Sequence, residues 1–139
     1  MYVVILGAGR IGTRMAAWIS GAGSEVTVID RDKQRLKSLD IVLGQVGLLG
    51  DGSKIAVLDE AGASRADLFI ATTGSDDVNL VACQIAKHRF SVGKTVSIVY
   101  NSENESLFNI LGIDSGVSIT DMVVERIELE LADMFVEEV

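Results

Sequence analysis

Three glycines stand directly after an apolar run near the start of the chain, in the stretch Gly7-Ala8-Gly9-Arg10-Ile11-Gly12. Their spacing is G-x-G-x-x-G, and the motif gains meaning from its place between a strand-like run and a helix-like run. The first glycine permits a tight turn, the second lets the backbone approach a pyrophosphate, and the third lets helix and strand pack closely. The unpaired N–H groups and the positive end of the helix dipole would then bind phosphate.

An acidic residue, Asp30, ends the second strand-like run, where the same fingerprint places a carboxylate that binds ribose hydroxyls. A carboxylate repels a 2′-phosphate, which favours NAD(H) or an adenosine nucleotide (ATP or ADP) over NADP. Arg31 beside it weakens that exclusion, because an arginine there can accept a phosphate. We expect a bound dinucleotide or mononucleotide; the alternative is an α/β fold that binds no nucleotide.

Arg10 lies inside the glycine turn, where a cation is unfavourable at a helix N-terminus unless an anion offsets it. Its planar donor fork could bind a terminal phosphate. The alternative is an ordinary surface arginine in the first helical turn.

Two further strand ends point at the same crevice, because ligands of open α/β sheets bind beyond the carboxyl ends of the strands. Asp51 and Gly52 follow the third strand, and Thr72-Thr73-Gly74 follow the fourth. Asp51 could accept a hydrogen bond from an adenine amino group or cap the helix that begins near Ser53, and both alternatives stay open. The pair Asp76-Asp77 is interpreted as helix N-terminal rather than ligand-binding.

Strand-like and helix-like runs alternate with short turns, which predicts an α/β fold: a Rossmann-like, doubly wound, parallel six-stranded sheet with a C-terminal crossover helix. The predicted strands are Tyr2–Leu6, Glu25–Asp30, Val46–Leu49, Leu68–Thr72, Thr95–Tyr100 and Val117–Ile119. Helices are predicted from Ile11 to Gly21 and over Asp32–Leu39, Ser53–Ala61, Asp77–Phe90, Glu103–Leu111 and Thr120–Val139. The spacing of Ser102 and Glu105 predicts a capping box for the fifth helix.

Three unusual residues receive structural interpretations. Trp18 recurs at helical spacing with Ile11, Met15 and Ile19, so it is expected to pack on the sheet as a core residue. The lone Cys83 is expected to be buried, and the lone His88 to lie on a helix surface. One cysteine with one histidine does not make a zinc site of the usual type, so no metal is predicted.

The last stretch, Thr120–Val139, carries seven acidic residues and a single arginine beside an apolar stripe. The stripe consists of Val123, Val124, Ile127, Leu131, Met134 and Phe135. Six strands already complete the parallel core, so this stripe needs other cover. A partner subunit is expected; the alternative is that the helix folds back onto its own sheet.

The composition excludes several classes of protein. With 139 residues, 48% hydrophobic and 23% charged, the chain has the length and balance of one globular domain. The first 54 residues carry 7 basic and 5 acidic residues, whereas the rest carry 5 and 15, which argues against nucleic-acid binding. No apolar run approaches the roughly 20 residues that cross a bilayer, so a soluble, cytoplasmic protein is expected.

Residues that would support catalysis are missing from the sequence pattern. There is no Tyr-x-x-x-Lys and no Walker lysine after the glycines, and His88 lies far in sequence from the strand ends. The chain is therefore expected to bind a nucleotide without acting as an enzyme, with no catalytic residues. The alternatives are a stand-alone NAD-dependent oxidoreductase and a nucleotide-independent dimerisation module.

Five segments together resemble a known family: VVILGAGRIG, VTVIDRD, LLGDGS, LDEAGASRADLFIATTGSDDVNLVACQIAK and LFNILGID. They are similar to the RCK N-terminal domain, also called KTN, of TrkA-type potassium-transport regulators. The likeness extends over essentially the whole chain, and the combination of segments separates it from dehydrogenases that share only the glycines.

The resemblance implies a cytosolic regulatory domain that binds NAD(H), ATP or ADP and gates a membrane potassium channel or transporter through rearrangement of its dimer or ring. It implies location at the inner face of the membrane, with residues 1–119 as the nucleotide-binding domain and 120–139 as a helix that crosses to a partner subunit. The residues matched by position are Gly7, Ala8, Gly9, Arg10, Ile11, Asp30, Arg31, Asp51, Gly52, Thr72, Thr73 and Gly74.

The chain departs from that family at two internal positions. Ile98 stands on strand five where many members carry an arginine, which puts an extra phosphate contact in doubt. Ser118-Ile119-Thr120 stands where members often have Ser-Pro-Glu, which puts an interfacial metal in doubt. Members commonly continue into a second ligand-binding subdomain.

Overall fold

A computed structural model describes residues 1–135, which form one parallel six-stranded sheet with helices on both faces. The strands are β1 (Tyr2–Leu6), β2 (Glu25–Asp30), β3 (Gly47–Leu49), β4 (Leu68–Ala71), β5 (Lys94–Val99) and β6 (Ser115–Ser118). The helices are α1 (Arg10–Gly21), α2 (Lys33–Leu43), α3 (Ile55–Glu60), α4 (Asp76–Gln84), α5 (Glu105–Ile110) and α6 (Ile119–Leu131). The predicted fold class is confirmed.

The strand order is β3-β2-β1-β4-β5-β6, and every neighbouring pair is parallel. The chain starts at the centre with β1, builds outward to β3, and then returns to place β4 on the other side of β1. This reversal opens a crevice at the carboxyl ends of β1 and β4, the position where open α/β sheets bind ligands.

Two apolar layers cover the sheet, because alternate residues of a strand point to opposite faces. Val3 and Ile5 pack against α1 and α2, whereas Val4 and Leu6 face the layer that includes Phe108 of α5. Parallel strands with both faces covered read as continuous apolar runs, as β1 does.

The predicted environments of the lone thiol and the lone imidazole are confirmed. Cys83 is fully buried in the layer that contains α4, and burial raises the pKa of its thiol to about 12. His88 is exposed on a wide π-type turn, Ile85–Arg89, which continues α4 after Gln84. The single helix predicted over Asp77–Phe90 is thus two segments.

The prediction that Trp18 packs in the core is wrong, because its side chain is 70% exposed. The buried residues of α1 are Gly12, Ala16 and Ile19, at spacings of four and three. Two small residues on that face bring the helix close to the sheet and leave no space for an indole. Trp18 is adjacent to Ile19 in sequence and therefore lies about 100° around the helix from it.

The predicted capping box at the fifth helix is also wrong. Residues Ser102–Asn104 form a 3₁₀ turn before α5, and no side chain in residues 1–135 caps α5 itself, which begins at Glu105. The side chain of Asn101 caps that turn by accepting a hydrogen bond from the N–H of Glu103 at 3.1 Å. The capping function lies one residue earlier than the S-x-x-E spacing predicts.

Helix α6 leaves the sheet with its apolar stripe uncovered. Its first turn is capped by Ser118, but no residue of α6 is buried. Exposure is between 39% and 75% for the large apolar side chains from Met122 to Phe135. The alternative that this helix folds back onto its own sheet is therefore wrong for the described residues; the last four residues of the predicted helix, 136–139, lie outside them.

Candidate functional site

A cleft of about 1020 Å³ opens at the carboxyl ends of the central strands, where the strand order reverses. The cleft brings together all but one of the site residues predicted from the sequence: Gly7, Gly9, Arg10, Ile11, Asp30, Arg31, Asp51, Gly52, Thr72, Thr73 and Gly74. The exception is Ala8, a residue of the glycine turn whose side chain is buried. Four loops that are distant in sequence thus share one wall.

The first and third glycines of the turn are required by the fold itself. Gly7 has φ +108°, a conformation that side chains rarely adopt, and its N–H donates to the carbonyl of Ile29 at 2.7 Å. A Cβ on Gly12 would overlap the carbonyl oxygen of Gly7 and lie 2.8 Å from Oγ1 of Thr72. These two positions hold α1 close against β1 and β4.

The second glycine, Gly9, has no such role in packing. Its φ is −80°, which any residue can adopt, and an added Cβ would meet no atom within 4 Å. The space beside Gly9 is the cleft. A Cβ would occupy this space, so the absence of a side chain leaves room for a ligand to approach the backbone.

The N-terminus of α1 presents hydrogen-bond donors to that space. Gly9 is the N-cap residue, no side chain among the described residues caps it, and the first turn contains no acid. The first N–H groups of a helix have no intrahelical acceptor and carry partial positive charge. Arg10 is exposed at the same end and lines the cleft. The arrangement fits a phosphate group.

Asp30 lies next to the glycine turn, with a side chain that is only 10% exposed. Its Oδ2 accepts a hydrogen bond from the N–H of Ala8 at 2.7 Å, and its Oδ1 accepts one from the N–H of Asp32 at 2.7 Å. The N–H of Ala8 is therefore engaged with Asp30 rather than directed at the phosphate position. A carboxylate offers about four acceptor sites, so two remain for ribose hydroxyls.

Sequence reasoning missed Arg35, which also lines the cleft. Its Nη1 is 3.9 Å from Oδ2 of Asp30, and its Nε is 3.8 Å from Oδ2 of Asp32. Residues three apart on a helix are neighbours, so the spacing from the N-cap Asp32 to Arg35 was the available signal. Arg31 and Lys33 line the cleft as well, so three cations lie along the part of the cleft that contains Asp30.

Asp51 forms a local turn instead of capping a helix. Its Oδ1 accepts hydrogen bonds from the hydroxyl of Ser53 at 2.7 Å and from the N–H of Ser53 at 2.9 Å, which lower the pKa of Asp51. The following helix begins at Ile55 with Lys54 as its N-cap residue, so the helix-capping alternative is wrong. The adenine contact stays a prediction.

A second residue that sequence reasoning missed, Asn79, fixes the loop after β4. Its Oδ1 accepts hydrogen bonds from the N–H of Thr73 at 3.0 Å and from the hydroxyl of Thr73 at 2.6 Å. Its Nδ2 donates to the carbonyl of Thr73 at 3.0 Å and to that of Ile98 at 3.4 Å. Asn79 is fully buried, and periodicity alone does not separate a buried amide from a surface one.

The far end of the cleft is lined by Tyr100, Val78 and Ile119. Asp76 accepts hydrogen bonds there from the N–H groups of Tyr100 at 2.9 Å and Asn101 at 3.0 Å. Burial would raise the pKa of Asp76, but these hydrogen bonds outweigh it and hold the pKa below its ordinary value. Asp76 is the first residue of α4, as the helix N-terminal interpretation predicts.

The model of the TrkA-N domain family matches residues 3–119 of this chain. The chain belongs to the TrkA-N domain family. That membership confirms the resemblance drawn from the sequence.

Relatives and solved structures agree with this membership. A Trk system potassium uptake protein TrkA homolog from Methanothermobacter thermautotrophicus is 36% identical over 118 residues, which cover 85% of this chain and 54% of that protein. The GsuK channel bound to NAD is 26% identical with a TM-score of 0.78, covering 95% of this chain and 24% of that one. GsuK bound to ADP is 28% identical with a TM-score of 0.77, covering 94% and 33%. The chain thus spans about half the length of the first of these relatives.

Proposed function

We propose that this chain is a nucleotide-binding regulatory domain of a potassium channel or transporter, with NAD(H) or ATP/ADP as its ligand. The observation that carries the proposal is the uncapped N-terminus of α1, which faces the open space at Gly9 beside the carboxylate of Asp30. Unpaired donors suit a phosphate, and the carboxylate suits ribose hydroxyls.

The relatives support the choice of ligand and system. The similar GsuK structures are described as bound to NAD and to ADP, and the similar archaeal protein is named for potassium uptake. In this chain we assign the phosphate to the glycine turn Gly7–Ile11, with the N–H groups of Gly9, Arg10 and Ile11 as donors, because those of Gly7 and Ala8 already bind Ile29 and Asp30. We assign the ribose to Asp30 and Arg31, the adenine to Asp51 and Gly52, and the second half of a dinucleotide to Thr72–Gly74, which all line the cleft.

Assembly is the second part of the proposal. The exposed apolar stripe of α6 supports binding to a second copy of the chain, because an uncovered face of this kind marks an interaction surface. Residues 1–119 then form the nucleotide-binding unit and 120–139 the dimerisation segment, whose described part is α6, which ends at Leu131, and a 3₁₀ turn over Ala132–Met134. The expected membrane partner is a potassium transporter or channel subunit, which would place the domain at the inner face of the membrane. No helix among residues 1–135 is long and apolar enough to cross a bilayer.

Regulation requires that the nucleotide bind one arrangement of the assembly better than another. Arg10 is the proposed reporter, since it lines the cleft beside Gly9 and its guanidinium could meet a third phosphate that ADP lacks. Arg10→Ala is then expected to change the ratio of ATP to ADP affinity. An unchanged ratio would remove Arg10 from this role.

The test is calorimetric titration of the purified chain with NADH, NAD, ATP, ADP and NADPH, with sedimentation of each saturated sample. Gly9→Ala is expected to weaken binding at least tenfold, about 1.4 kcal/mol, because a methyl group would occupy the phosphate position. The matched control is Gly21→Ala at the other end of α1, where an added Cβ also meets no atom within 4 Å.

The outcomes separate the candidates. Selective binding that Gly9→Ala weakens and Gly21→Ala leaves intact supports the proposal. No binding by any nucleotide contradicts it and favours a nucleotide-independent module. Oxidation of NADH in the presence of a panel of carbonyl compounds would instead revive the oxidoreductase.

A further inference from the structure

The ribose end of the cleft carries a charge arrangement that the glycine fingerprint does not specify. Asp30 and Asp32 are both negatively charged, and Arg35 lies within 4 Å of each of them. The guanidinium sits between two carboxylates and remains 57% exposed. It therefore offsets both charges and still faces the cleft.

Asp30 itself is held in a fixed position. Two backbone N–H groups bind its two oxygens at 2.7 Å, and the side chain is almost enclosed. Asp32 is also fixed, since its Oδ1 accepts the N–H of Gln34 at 2.9 Å as the cap of α2. Because these hydrogen bonds hold both carboxylates in position, an approaching anion meets their negative charge unless a nearby cation offsets it.

We infer that Arg35 is a specificity-determining residue that sets how strongly the cleft discriminates between adenosine riboses with and without a 2′-phosphate. This inference rests on the proposed function of the cleft. A 2′-phosphate adds a charge of about −1.5 to −2 next to the ribose carboxylate. With Arg35 present, that phosphate meets a compensated pair of acids and a planar fork of donors suited to phosphate.

Removal of Arg35 takes away the cation that lies within 4 Å of both carboxylates. Arg31 and Lys33 also line the cleft, but neither forms an ion pair with Asp30 or Asp32 among the described residues. A 2′-phosphorylated nucleotide would then be repelled, whereas a nucleotide with free ribose hydroxyls would still donate hydrogen bonds to Asp30. Arg35→Gln is therefore expected to weaken NADPH binding about tenfold, equal to about 1.4 kcal/mol, and to change NADH binding little.

The experiment measures the ratio of NADPH to NADH affinity by calorimetry at low salt, because screening weakens interactions of exposed charges. Arg35→Gln is compared with Arg35→Lys, which keeps the charge, and with Lys37→Gln, an exposed position on α2 outside the cleft. A purely structural role for Arg35 would alter both affinities together and leave their ratio unchanged. Circular dichroism checks that each variant is folded.

Three results are distinguishable. A ratio that shifts about tenfold in Arg35→Gln, returns toward the wild-type value in Arg35→Lys and is unchanged in Lys37→Gln supports the inference. Intact NADH binding with the same ratio in all variants overturns the inference and leaves the proposed function standing. No binding of either dinucleotide, together with no binding of ATP or ADP, overturns both.

Discussion

The buried amide of Asn79 connects the cleft loop after β4 to the neighbouring strand β5. Its four hydrogen bonds reach the N–H, carbonyl and hydroxyl of Thr73 and the carbonyl of Ile98. Asn79→Ala removes all four at once and cannot replace them with another polar group. The variant therefore tests whether the loop is held by this one side chain.

The expected loss is about 3 kcal/mol in the free energy of unfolding. A buried polar group left without a partner costs about 1–3 kcal/mol. The carbonyl of Ile98 keeps a hydrogen bond from the hydroxyl of Ser97 at 2.9 Å, so it bears little of the loss. The larger part falls on the N–H and the carbonyl of the half-buried Thr73, which both lose Asn79 as their partner. For a domain of this size the loss corresponds to a melting temperature lower by roughly 10 °C.

Urea denaturation followed by circular dichroism measures the change. Gln84→Ala in the same helix is the control, because Gln84 is a partly buried amide with no side-chain hydrogen bond among the described residues. A surface-type substitution of this kind costs no more than about 0.5 kcal/mol. Equal unfolding free energies for the two variants would refute the reasoning. Calorimetry with NADH should also show weaker binding only for Asn79→Ala, because Thr73 lines the cleft.

Three further predictions test the packing, the surface and the core. Gly12→Ala should lower the unfolding free energy by about 2–3 kcal/mol in urea denaturation, because its methyl group overlaps the Gly7 carbonyl; a neutral effect would contradict that contact. The hydrogen bond from Lys87 lowers the pKa of Asp114, so Asp114→Asn should destabilise the protein at pH 7, with a difference from wild type that shrinks as pH falls below about 4. The thiol of Cys83 should resist an aromatic disulfide reagent at pH 8 until urea unfolds the chain; rapid labelling of the native protein would contradict its burial.

Much of the fold could be predicted because its signals are local. The apolar runs of the strands and the turn residues between them specify a parallel sheet, and the glycine spacing locates the first strand–helix turn. The prediction for Trp18 was wrong because its hydrophobicity alone does not show which face of the helix is buried. A large side chain can be buried only where the helix lies far enough from the sheet to leave space for it. Gly12 and Ala16 bring α1 too close for that.

Residues that line or support the cleft could be predicted where a backbone requirement leaves a trace in the sequence, as at Gly7, Gly12 and Asp30. They were missed where the contact depends on tertiary structure. Arg35 and Asn79 look like ordinary residues of α2 and α4, and only the folded chain places one beside two carboxylates and the other behind the loop at Thr73. The sequence shows that one residue is charged and the other is an amide, but it does not show which groups they contact.

Ile119 is at once the first residue of α6 and part of the cleft wall. A ligand that contacts this wall and a protein that binds the exposed stripe of α6 therefore act on a single short segment of backbone. Linkage is reciprocal: if a bound nucleotide favours one orientation of α6, a partner that fixes that orientation must strengthen nucleotide binding by the same factor. The nucleotide has one binding free energy for the free chain and another for the assembly. The difference between these two binding free energies is the free energy available for signalling.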